Sequence, residues 1–143
     1  MAAEDLVPDA PLGEALYPGA VIVTMKCDED NVRKGRFVTL TAGENWPPVC
    51  HEADAGEKLG GVALEAGNNG DYISVLIHGI VKIYAGAAVG ALELLKSDAE
   101  GRAIPIAATN VYMEGAVALM SAGEADDQFI VFVSLACTNA VLA

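Results

Sequence analysis

A chain of 143 residues carrying 20 acids against 8 Lys and Arg, net charge −12, repels a phosphate backbone, so no nucleic-acid partner is expected. No apolar run reaches the roughly 18 residues of a membrane-spanning helix. The opening MAAEDLVPDAPLGEAL has acids where a signal peptide needs bases, so the chain is expected to be made in the cytoplasm, without a membrane partner. Hydrophobic residues make up 53% but aromatics only 6%, so small aliphatic side chains must carry the core of a single domain.

Residues 1–19 hold Pro8, Pro11 and Pro18 and show neither helical nor strand periodicity, which predicts an extended arm. Its apolar residues Leu6, Val7, Leu12, Leu16 and Tyr17 exceed what a disordered tail carries, so the arm is read as one that docks. Regular structure begins at Ala20, and residues 20–143 form one β-barrel-like domain. Ala20–Met25 and Phe37–Thr41 read as strands, with a polar loop from Lys26 to Gly35 between them. Thr41–Glu57 reads as irregular, because Pro47 and Pro48 oppose both a central strand and a helix. Trp46, the single Trp, either covers a barrel end or anchors a partner surface.

Gly60–Glu65 and Asp71–His78 predict a hairpin, continued by Ile80–Tyr84 beyond a bend at Gly79. Alanine content favours helix in Ala85–Leu95, but Gly86 and Gly90 interrupt it. Leu92–Lys96 and Arg102–Ile106 flank the turn Ser97–Gly101 and read as a hairpin, with at most one helical turn near Ala87. Val111–Met120 and Gln128–Leu135 form the last hairpin, and an apolar tail, Ala136–Ala143, follows. Gly60-Gly61-Val62-Ala63-Leu64 recurs as Gly115-Ala116-Val117-Ala118-Leu119. Each copy leads through a polar turn into an alternating run, Ile73, Val75, Ile77 and then Phe129, Val131, Val133. A duplicated hairpin among short strands predicts an all-β fold, a small barrel or sandwich built of hairpins with an extended N-terminal arm. The expected core is Val38, Leu40, Val62, Leu64, Ile73, Val75, Ile77, Val117, Leu119, Phe129, Val131 and Val133.

No catalytic motif is present: no nucleophile elbow, P-loop, H-E-x-x-H or G-x-G-x-x-G. Cys50-His51 invites a metal reading with Cys27 and His78, yet no zinc-ligand spacing supports it. Three cysteines, Cys27, Cys50 and Cys137, argue against a disulfide framework. His78 reads as a solvent or interface residue. Asp28-Glu29-Asp30 and Asp126-Asp127 read as solvated turns. Arg33 and Gly35 beside Lys34 do not fit a biotinyl or lipoyl attachment tip. No cofactor, metal or enzymatic activity is expected.

The order Lys34-Gly35-Arg36-Phe37-Val38-Thr39-Leu40-Thr41, Gly60-Gly61-Val62-Ala63-Leu64, Ile73–Gly79 and Ser97-Asp98-Ala99-Glu100-Gly101 resembles the capsid decoration, or head cement, proteins of tailed phages and viruses. The likeness runs from about residue 34 to residue 135. It departs at Glu114-Gly115-Ala116 and in the Trp46-Pro47-Pro48 loop. The resemblance implies a structural virion protein on the outer surface of an icosahedral capsid. It would bridge neighbouring subunits of the major capsid protein and stabilise the shell, as a homotrimer. Contacts with capsid or a neighbouring protomer are then expected from Leu6, Val7, Pro8, Pro11, Leu12 and Tyr17 of the arm and from Trp46, Pro47 and Pro48. The residues alone also admit a β-barrel module that binds a carbohydrate or protein surface.

Overall fold

The computed structural model describes residues 12–13, 19–41, 43, 46–106 and 115–135. They form nine strands: β1 (Val21–Cys27), β2 (Phe37–Thr41), β3 (Val49–Glu52), β4 (Gly61–Ala63), β5 (Tyr72–Tyr84), β6 (Leu95–Ser97), β7 (Ala103–Pro105), β8 (Ala116–Ala118) and β9 (Gln128–Ser134). No α-helix occurs among the described residues, so the glycines of the Ala85–Leu95 segment outweigh its alanines. The all-β expectation is met. The expected extended arm lies almost wholly outside the described residues.

Strands in the order β1-β3-β2-β4-β5 close into a five-stranded barrel, because β1 also pairs with β5. β5 is long enough to serve twice. Its first half, up to His78, pairs with β1, and its second half, His78–Tyr84, pairs with β9. The change of partner falls at the predicted bend, where Gly79 has φ of +143°. A Cβ there would sit 3.2 Å from the Cβ of Ala20, so the bend needs a residue without one.

The duplication reaches beyond the hairpin visible in the sequence. In the first unit Met25 pairs with Ile73 and Val23 with Val75; in the second Ile83 pairs with Phe129 and Val81 with Val131. The parallel pair Cys27↔Cys50 is matched by the parallel bridge Ala85↔Ala103, Val32↔Gly67 by Val89↔Ala122, and Phe37↔Val62 by Leu94↔Val117. Thus β5, β6, β7, β8 and β9 repeat the roles of β1, β2, β3, β4 and β5, with several pairings reduced to single bridges. Eight buried side chains fill the first barrel: Met25, Cys27, Val32, Val38, Cys50, Ala63, Ile73 and Val75. Their counterparts Ile83, Ala85, Val89, Leu95, Ala103, Ala118, Phe129 and Val131 lie in the second core cluster. That cluster also takes in Phe37, Val62 and Leu76, from strands of the first barrel.

Polar contacts reinforce the junction between the units. Arg33 and Arg36 reach across it to the Glu100 carbonyl, and Arg102 braces the second unit beside it. Arg33 forms a two-pronged pair with Glu52. Arg36 donates to the Glu100 carbonyl at 2.9 Å and lies 5.2 Å from the centre of the Tyr84 ring. Arg102 reaches Asp98 at 2.9 Å and Asp126 at 3.0 Å. Backbone bonds run alongside, with the Phe37 N–H donating to Gly101 and the Gly56 N–H to Ser97.

Three expectations are corrected. A strand, β3, forms inside the segment read as irregular, and it sits between β1 and β2. It starts directly after Pro48. A proline lacks a donor but keeps its carbonyl, and that of Pro48 accepts from the Lys26 N–H at 2.9 Å. Leu40 is not core but stands at the barrel rim, 45% exposed. Leu119 is 42% exposed, and Val117 is only half-buried. Their counterparts Leu64 and Val62 pack into the cluster shared with the second unit. The second unit covers the first, and no third unit among the described residues covers the second.

That asymmetry separates two positions of one motif. Val62→Ala is expected to cost about 2 kcal/mol and Val117→Ala less than about 1 kcal/mol, read by urea unfolding of the two variants. Gly61 has φ of +137°, and a Cβ there would lie 2.5 Å from the Leu76 carbonyl oxygen. Gly61→Ala is therefore expected to cost about 2 kcal/mol or more in the same assay, although the second copy of the motif carries Ala116 at this place.

Candidate functional site

The β2–β3 hairpin carries the most exposed large apolar side chain among the described residues. Thr41 pairs with Val49 at the base of the loop, and Trp46-Pro47-Pro48 leads back into β3. Trp46 is 79% exposed; it stands out into solvent and does not cap the barrel. Beside it lies a cleft of about 310 Å³ lined by Leu40, Thr41, Gly43, Trp46, Pro48 and Val49. Pro47 and Pro48 are half-buried and fix the backbone that presents the ring. An indole next to an apolar cleft suits an anchoring contact with a second surface, since Trp loses little side-chain entropy and buries a large area. Leu40 belongs to this surface. Its strand periodicity pointed inward, and nothing in the sequence marks where the barrel ends.

A polar cluster borders the cleft. The Thr41 hydroxyl donates to the Asp28 carboxylate and lies 3.1 Å from His51 Nδ1. His51 stands 3.6 Å from Asp28 on one side and 3.6 Å from Glu57 on the other. Cys50 and His51 alternate across β3, so Cys50 enters the barrel interior while His51 faces out, and the two do not converge on one ion. Among the described residues no three His, Cys, Asp or Glu side chains gather to hold a metal. His78 lies far along β5, with Nδ1 3.0 Å from Ser134 Oγ and its ring edge-on to Phe132.

Of the arm, Leu12 and Gly13 fall within the described residues. The Gly13 N–H donates to the Lys82 carbonyl at 3.0 Å. Leu12 lies against Gly35, where an added Cβ would come within 2.8 Å of it. These two residues therefore rest on their own barrel. Leu6, Val7, Pro8, Pro11 and Tyr17 lie outside the described residues, as do Cys137 and the tail from Ala136.

The two thiols that sequence spacing kept apart are brought together. Cys27 and Cys50 are fully buried in the first barrel, aligned across β1 and β3 within one core cluster. Burial pushes both thiols up, Cys50 to about 12, with its neighbour Cys27 and the carboxylates of Asp28 and Glu29 adding to the effect.

The sequence between residues 17 and 135 matches the family model of the phage cement proteins. The chain belongs to that family. Membership makes it a capsid-associated structural protein. Among solved structures it is similar to the N base of head fiber gp8.5 in bacteriophage phi29, with 18% identity and a TM-score of 0.62 over 85% of this chain and 98% of that one. At that identity the likeness speaks for the fold. No curated protein sequence matches.

The buried thiols of this cement-family chain give a stability signature. Their folded pKa is raised, so folding favours the protonated thiol. Stability is full below the unfolded value near 9 and falls as pH climbs from there toward the folded value near 12. Cys50 alone contributes a slope of up to about 1.4 kcal/mol per pH unit in that window. The difference in unfolding free energy between wild type and Cys50→Ala should hold below pH 9 and shrink from pH 9 to 11 at up to that rate.

Proposed function

We propose that this chain sits on the outer surface of an icosahedral phage capsid, where it bridges neighbouring subunits of the major capsid protein and stabilises the shell. It acts as a homotrimer, is made in the host cytoplasm and ends in the virion. The observation that carries the reading is the family match across most of the chain. The Trp46 hairpin supplies the contact: an exposed indole and an apolar cleft, presented by a proline-fixed loop on a closed barrel. The arm residues Leu6, Val7, Pro8, Pro11 and Tyr17 supply a second contact, to capsid or to a neighbouring protomer, while Leu12 holds the arm on its own barrel. A proline-stiffened arm pays less ordering entropy on docking than a flexible one. Net charge of −12 suits a solvent-facing position and opposes contact with packaged DNA. Repetition over the many equivalent sites of a shell turns a modest contact into firm retention.

Co-sedimentation with emptied capsids of the cognate phage tests this. Trp46→Ala should leave the melting temperature within a degree or two, because the ring is exposed, and weaken capsid binding about tenfold or more. Removal of residues 1–11 should weaken it independently. Sedimentation equilibrium of the free protein should give the trimer mass. Undiminished binding by both variants would overturn the assignment of these contacts, and failure of the intact protein to bind would overturn the capsid reading itself.

A further inference from the structure

The first barrel and its repeat differ at one chemically telling place. Where the second unit has the bridged pair Ala85 and Ala103, the first has Cys27 and Cys50. All four side chains are fully buried, so packing there asks for a small residue and not for sulfur. The two cysteines face one another across the single parallel pairing between named strands among the described residues, β1 with β3, which is held by two registered pairs. Adjacent strands run about 4.8 Å apart, inside the Cα separation that a disulfide spans. Both side chains belong to the one buried cluster that fills the first barrel.

We infer that Cys27 and Cys50 are a latent covalent clasp: oxidation by a small peroxide joins their sulfurs in a disulfide inside the first barrel and ties β1 to β3. The Cys27 thiolate attacks one oxygen of hydrogen peroxide, giving a sulfenic acid at Cys27 and releasing hydroxide. The Cys50 sulfur then attacks the Cys27 sulfur, the S–S bond forms, and the sulfenic oxygen leaves as water with the proton from Cys50. Two thiols are oxidised by two electrons and one peroxide is reduced to two waters. Cys27 is the attacking partner because burial holds Cys50 the more firmly as the neutral thiol, pushed up to about 12. Burial and the charges of Asp28, Glu29 and Asp71 still oppose a thiolate at Cys27, so the clasp closes slowly, in step with local opening of the barrel. A reducing cytoplasm keeps such a pair open, and a virion surface outside the cell does not. That timing rests on the capsid reading; the cross-link does not.

The bond would also fix the strand that leaves the Trp46 loop, since β3 begins one residue after Pro48. Trypsin separates the three cysteines of the intact chain into peptides 27–33, 37–58 and 103–143. Native protein treated with excess hydrogen peroxide, alkylated and digested without reductant should yield peptide 27–33 joined to 37–58. Its melting temperature should rise by about 5 °C and return on addition of dithiothreitol. Cys50→Ala, which copies the second unit, should show neither the joined peptide nor the rise. Recovery of the two peptides unlinked, or of either joined to 103–143, would overturn the inference. No capsid is present in this assay, so its failure leaves the proposed capsid role untouched.

Discussion

The structure hangs on β5. A strand of ordinary length could close one barrel or open a second, and thirteen residues allow one strand to do both. Its first half completes the ring begun by β1, and its second half begins the next. Both of its faces are therefore committed: Ile73 and Val75 fill the first barrel, Leu76 packs outside it, and Val81 and Ile83 turn into the second core. A strand buried on both faces must read as nearly continuous hydrophobicity rather than clean alternation. Seven of the eleven residues from Ile73 to Ile83 are aliphatic, and Ser74, His78, Gly79 and Lys82 interrupt them.

The shared strand also sets where the protein is stiff and where it offers a surface. The first unit is covered by the second, with Arg33 and Arg36 on the Glu100 carbonyl, and Phe37 and Gly56 on the Gly101 and Ser97 carbonyls, knitting the two. Backbone hydrogen bonds in a closed ring leave few strand edges for unwanted pairing. The Trp46 hairpin projects from the first barrel. It leaves the first barrel at the seam where β3 joins β1.

Cys27 and Cys50 sit at the same seam. Neither thiol is required for packing, since alanines hold the equivalent positions in the second unit. Their burial makes them inert under reducing conditions and slow under oxidising ones. The chemistry of the pair and the mechanics of the loop thus meet on one strand, four residues long.

The sequence by itself determined the all-β class, the strands at Val21, Phe37, Tyr72 and Gln128, the bend at Gly79 and the presence of a repeat. Each rests on local chemistry: alternation, turn residues and a glycine within a strand. Family resemblance was legible in short motifs for the same reason. Only the tertiary structure decided that the repeat is five strands long, because β2 and β6 share almost no side chains and are matched solely by their hydrogen-bond partners. It also decided that Leu40 and Leu119 face outward, since alternation says which residues share a face and not where a barrel ends or whether a neighbour covers it. The Cys27–Cys50 pair lay beyond sequence reading as well. The two residues stand far apart along the chain, and it is the register between parallel strands, set by ring closure, that puts one sulfur beside the other.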